Sequence, residues 1–201
     1  LGHVKNEAKS YSEALIFYEK SLLYDNTVRN VEAYYQKGGA YYDLGKWSKA
    51  IESYNEVLKL DNNYEAALFF KALCFGASKK YEDSIDCYVN FIDQFKNSQR
   101  IIGAWKYKAW AENILSKYDD ALDSCRQALK LAPEFEYKSR EKNSAGTTYK
   151  PKSKDKLDKE RIEDINYLFY QKGIALKGLE QFEDALECYK KILVPKCDKN
   201  H

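Results

Sequence analysis

An all-α fold of repeated helix pairs is predicted by three features of the sequence. One pattern of residues recurs five times, and each copy carries apolar stripes at the three-and-four spacing of a helix. Only three prolines interrupt the chain, and no segment reads as a strand. The recurrence is anchored on a small residue: Ala14, Ala50, Ser84, Ala121 and Ala185, in steps of 36, 34, 37 and 64 residues. Three residues before each anchor stands an aromatic (Tyr11, Trp47, Tyr81, Tyr118, Phe182), and four after it Tyr18, Tyr54, Tyr88, Cys125 or Tyr189. A period near 34 marks units that cannot bury a core alone and need neighbours like themselves.

The copies justify the helices one by one. Copy one enters late, at Leu1-Gly2, and keeps Tyr11, Ala14 and Tyr18. Copy two, Tyr34 to Asn62, is the best formed. Its first helix carries Tyr34, Gly38 and Tyr41 on one stripe. Gly45 then ends that helix, since glycine takes a left-handed C-terminal residue cheaply. Its second helix carries Trp47, Ala50, Tyr54, Val57 and Leu58. Copy three has Leu68, Ala72, Phe75, Tyr81, Ser84 and Tyr88. Copy four has Trp105, Ala109, Tyr118, Ala121 and Cys125, but Glu112 replaces its aromatic, so that helix is expected to pack differently or less well. The step of 64 then signals roughly 30 inserted residues. Glu134 to Lys152 is polar and resembles a flexible loop, whereas Ser153 to Asn166 is a strong helix former that extends the next helix backwards. Copy five has Phe169, Gly173, Leu176, Phe182, Ala185 and Tyr189. The resulting division is 1–133 for copies one to four, 134–160 for the charged loop and helix extension, 161–195 for copy five, and 196–201 for a tail.

These residues resemble the tetratricopeptide repeat over about five sixths of the chain. The resemblance implies a right-handed α-solenoid whose first helices line a concave face. Where the family often has leucine before the small residue, this chain has Lys37, Lys71, Lys108 and Lys172. A lysine stem covers apolar surface there while its ammonium reaches water, so the reading is a solvated edge, with a functional lysine ladder as the alternative.

Composition excludes several classes. With 33 basic and 31 acidic residues the charge is too balanced for a nucleic-acid or membrane-surface partner. No apolar run approaches the ~20 residues of a membrane span, and no signal peptide opens the chain. On those two grounds the expected location is cytoplasmic, and separately the absence of methionine and the start at Leu1 read as a segment of a longer protein. The five cysteines (Cys74, Cys87, Cys125, Cys188, Cys197) show no ligand spacing and read as structural thiols, which leaves no metal site. His3 and His201 stand at opposite ends, and no glycine-rich phosphate loop is present, so no catalytic residue and no cofactor is expected. Glu82-Asp83, Asp119-Asp120 and Glu183-Asp184 recur at the start of second helices, where negative charge suits the helix dipole. The basic stretch from Lys138 to Lys156 is open to two readings, a solvated linker and a docking arm for an acidic partner.

Function is therefore expected on a surface. The 18 tyrosines, 9 phenylalanines and 3 tryptophans exceed what a thin helical core requires. Opposite the packing stripe, the first helices present Tyr35, Gln36 and Gly39; Phe69, Phe70 and Leu73; Lys106, Tyr107 and Trp110; and Tyr170, Gln171 and Ile174. Tyr42 and Asn113 lie one turn further on. Chaperone-adaptor members of the family hold a carboxylate on such a face with lysines, arginine and asparagines. Here only Lys106, Asn113 and His3 are polar candidates, so an apolar or aromatic protein segment is the expected partner. A structural subunit of a larger or self-associating assembly, and a regulatory domain of a longer enzyme, are the alternatives.

Overall fold

The computed structural model describes residues 2–22, 27–131 and 154–192, with side chains over 10–20, 22, 30–131 and 162–192. The expectations for the 134–152 loop, the tail and the His3 side chain lie outside these residues. The described chain is all-α: α1 Gly2–Ser21, α2 Thr27–Asp43, α3 Trp47–Leu60, α4 Glu65–Ala77, α5 Tyr81–Gln94, α6 Ile101–Ile114, α7 Tyr118–Leu131, α8 Lys154–Gly178 and α9 Phe182–Lys190. Among the described residues there is no strand. Two compact units divide at Arg100. In the first, α2 pairs with α3 and α4 with α5, and α1 packs on α2; in the second, α6 pairs with α7 and α8 with α9.

The turn inside each pair repeats atom for atom. A backbone N–H closes onto the carbonyl five residues earlier: Lys46 to Tyr41 (2.8 Å), and Lys80 to Phe75, Lys117 to Glu112 and Gln181 to Leu176 (each 2.9 Å). This is the glycine-type helix stop, with one left-handed residue before the closing N–H. Gly45 supplies it at φ 68°, but Lys79 (62°), Ser116 (58°) and Glu180 (61°) adopt the same conformation without being glycine. Residue preference therefore marked one of the four stops. α1 differs, since it runs through Tyr11 without the turn that precedes Trp47.

Small residues let the paired helices close. A Cβ on Gly38 would stand 2.6 Å from Cε1 of Tyr54, and Gly173 meets Tyr189 in the same way. Tyr54, Val57, Tyr88, Phe91, Cys125 and Leu168 are fully buried. In copy three, the Ser84 hydroxyl donates to the Ala72 carbonyl at 2.9 Å, which satisfies a polar group inside the contact.

Glu112 confirms that copy four packs differently. It is 2% exposed, accepts a 2.6 Å hydrogen bond from Ser124 Oγ, and is ion-paired with Lys108. Lys108 also donates to Ser124 at 2.9 Å. A closed polar triad thus fills the place of an aromatic ring.

Candidate functional site

The first-helix residues singled out from the sequence fall into one group per unit. In the first unit, Tyr35 and Tyr42 on α2 and Phe70 and Leu73 on α4 remain half-buried. Phe70 is the hub: its ring lies 6.4 Å from Tyr35, 6.1 Å from Tyr42 and 6.3 Å from Tyr54. Tyr64, the residue just before α4, adds a ring 5.0 Å from Tyr35 and donates to Glu32 at 3.3 Å. Burial and the Glu32 carboxylate push the Tyr64 phenol up to about 12, so it is a donor at neutral pH. Tyr64 was missed in the sequence because it precedes the helix whose face it joins. Gln36 is exposed and donates to Glu32 at 2.6 Å.

Phe69 departs from the expectation of an open face. It is buried, with ring centroids 5.9 Å from Tyr88 and 5.4 Å from Phe91. The aromatic positions flanking the packing stripe are wide enough in angle that one of two adjacent phenylalanines turns inward onto α5.

In the second unit, Tyr107 and Trp110 on α6 are half-buried and Tyr170 on α8 is 49% exposed. Lys106 is not a free cation. Its ammonium is ion-paired with Asp164 and stands 4.8 Å from the Tyr107 ring centroid and 5.6 Å from that of Tyr167. Asn113 and Gln171 also depart from the open-face expectation. Both are buried, and Asn113 Nδ2 donates to the Gln171 backbone oxygen at 3.0 Å and to its Oε1 at 2.9 Å. The Gln171 side chain in turn hydrogen-bonds Tyr167, whose phenol burial pushes up to about 12. Residues 58 apart in sequence meet here, and nothing in a single helix's periodicity announces such a pair. Two amides and the one lysine of this face are thus spent on joining α6 to α8. The surface that remains is aromatic.

The lysines preceding the small positions behave as covers. Lys37 lies 5.9 Å over the Tyr41 ring and 3.3 Å from Glu19, and Lys71 lies 5.9 Å over Phe75. The thiols behave as apolar groups: burial pushes Cys74 and Cys125 up to about 12 and Cys87 to about 11. Among the described residues no group of three or more His, Cys, Asp or Glu side chains could hold a metal ion, and no helix is long and apolar enough to cross a membrane.

Residues 31–64 match the tetratricopeptide repeat. Over 64 residues the chain is 33% identical to the uncharacterized protein MJ0572 of Methanocaldococcus jannaschii, which spans 32% of this chain and 74% of that protein. Among solved structures, the fold is similar to that of MamA, with a TM-score of 0.69 and 19% identity over 96% of this chain and 92% of that one. It is also similar to BtubC from P. vanneervenii, with a TM-score of 0.65 and 17% identity over 100% of this chain and 79% of that one. At such identities the likeness is one of fold.

Proposed function

The chain belongs to the tetratricopeptide-repeat family, and from that premise we propose that it is a non-catalytic scaffold that holds an apolar or aromatic segment of another protein against its first-helix faces. The observation that supports this reading is the division of labour among the rings. The signature rings Tyr54 and Tyr88 are fully buried, while Tyr35, Tyr42, Phe70, Tyr107, Trp110 and Tyr170 keep part of their surface open. Half-buried rings held in place by neighbours lose little freedom on binding, which is why tyrosine and tryptophan make good anchors. A carboxylate-gripping role is disfavoured because Lys106 is already neutralised by Asp164 and braced by two rings.

The test is the double variant Tyr107→Ala, Trp110→Ala, assayed against a partner captured by the intact chain. Binding is expected to weaken by ~2 kcal/mol or more while helicity and melting temperature hold. Affinity is also expected to change little with salt, because the contacts are apolar. Loss of folding in the double variant would place these rings in the core and sink the assignment.

A second reading is favoured by a separate observation. Ile16 and Phe17 on α1 (56% and 76% exposed) and Phe182 and Leu186 on α9 (60% and 54%) are bare apolar side chains. In a structural subunit these would meet other subunits. Light scattering of Phe17→Asp against the parent decides it: an assembly that dissociates in the variant favours the subunit reading.

A further inference from the structure

Among the described residues, Lys37 and Lys108 of the lysine register have an acid and a ring against them and Lys71 has a ring, whereas Lys172 has neither. Copies two and five each have a groove between the first and second helix, and in copy five the second helix of the preceding copy also lines it. In copy two it is lined by Lys37, Tyr41, Lys49, Glu52, Ser53 and Glu56. In copy five the equivalent positions are Lys172, Leu176, Asp184, Glu187, Cys188 and Lys191, and the groove measures about 360 Å³. In copy two the preceding helix supplies Glu19, five residues past its anchor, and that carboxylate pairs with Lys37 at 3.3 Å. The position five past the next-to-last anchor is Arg126, which lines the copy-five groove. The acid that answers the lysine in copy two is thus replaced by a second cation. At the far rim, Glu56 is likewise replaced by Lys191.

The other charges do not answer Lys172. Glu187 accepts a 2.8 Å hydrogen bond from Lys190, and its carboxyl is held below the usual range by that lysine. Arg126 is tied to Asp123 at 3.1 Å, and Lys191 stands over the Phe169 ring at 5.8 Å. Asp184 is exposed on the rim, as is Gln181. Lys172 itself is half-buried, and among the described residues no carboxylate is paired with it. Leu122, Leu176 and Cys188 form an apolar floor beneath it. Low-dielectric walls strengthen the field of a cation at such a place.

We propose that the groove between α7, α8 and α9 docks an acidic peptide segment of a partner protein, one glutamate or aspartate taking the place against Lys172 that Glu19 takes against Lys37. Arg126 and Lys191 flank that carboxylate, and an apolar residue beside it lies on the Leu122, Leu176 and Cys188 floor. This surface is separate from the aromatic first-helix face and does not depend on it.

The probe is a fluorescein-labelled dodecapeptide alternating glutamate and leucine, titrated by anisotropy into the intact chain beside its glutamine-for-glutamate counterpart. The acidic peptide is expected to bind and the neutral one to bind at least roughly tenfold more weakly, since charge-assisted contacts carry the difference. Lys172→Glu and the milder Lys172→Gln should each weaken binding, whereas Lys59→Glu, an exposed charge change in the other unit, should not. Arg126→Glu is the decisive variant. It rebuilds the Glu19–Lys37 arrangement within copy five, so it should abolish peptide binding while holding or raising the melting temperature. Tyr107→Ala with Trp110→Ala should leave peptide binding intact. Equal binding of the two peptides, no binding by the parent chain, or unchanged binding in Lys172→Glu or Arg126→Glu overturns the proposal. Self-association of the parent that disappears in Lys172→Glu would give the groove to a second copy and overturn it equally.

Discussion

Glu112 carries the largest single-residue consequence. Where copies two and three have Tyr41 and Phe75, copy four buries a carboxylate between Lys108 and Ser124. Removing one member of a buried, hydrogen-bonded ion pair leaves the other uncompensated. Glu112→Ala is therefore expected to destabilise by ~3–5 kcal/mol, read as a large fall in melting temperature. Glu112→Phe should cost clearly less, because Lys108 can then lie over the ring as Lys71 lies over Phe75. If both substitutions cost the same, the carboxylate is not what holds this contact. The substitution itself was legible in the sequence as a break in the pattern. Its remedy was not, because Ser124 belongs to the other helix, and the serine at the same position of copy two, Ser53, bonds within its own helix instead.

At the scale of elements, the helix stops and the helix contacts make opposite demands. Gly45, Lys79, Ser116 and Glu180 share one left-handed conformation, which costs a residue with a Cβ roughly 1–2 kcal/mol. Gly45→Ala should lower the melting temperature, and Lys79→Gly should hold or raise it, the strain relief being partly offset by the freedom glycine adds to the unfolded chain. Differential scanning of the two variants checks both signs. The contacts tolerate no such exchange. Ala50 is fully buried against its neighbours, and Ala50→Leu should destabilise by ~1–3 kcal/mol through overpacking. The helices and their register could be read from the 34-residue recurrence because packing repeats in every copy. Three of four stops could not be read, because the closing hydrogen bonds are made by backbone and impose the conformation on whatever residue stands there.

For the molecule as a whole, burial of weak acids sets the response to base. Cys74 and Cys125 are raised from 9.0 to about 12, and Tyr64 and Tyr167 from 10.0 to about 12. In each case the folded state holds the proton more tightly than the unfolded one. The stability this reflects is fully present below the unfolded pKa and is lost as pH rises from about 9 towards about 12. Melting temperature should therefore be flat from neutrality to the onset of thiol ionisation and fall beyond it. A melting temperature that rises through that alkaline range would contradict the burial of these groups. The same distribution explains how far the candidate site was legible. Tyr35, Tyr42, Phe70, Tyr107, Trp110 and Tyr170 follow from helical geometry and retain open surface, whereas Phe69, Asn113 and Gln171 were claimed by long-range packing that a single helix cannot report.

The two ways of closing a helix pair also bear on how such a chain can be rearranged. In copies two and five the closure is a glycine beneath a tyrosine ring, Gly38 under Tyr54 and Gly173 under Tyr189, so a first helix from one copy matches a second helix from the other. Copy four is closed by Glu112 on α6 bonded to Ser124 on α7; copy two has a serine at the same place, Ser53, but it bonds within its own helix and meets no buried acid. A crossover inside copy two or five yields a workable hybrid. A crossover inside copy four orphans a buried charge, so its two helices must be inherited together.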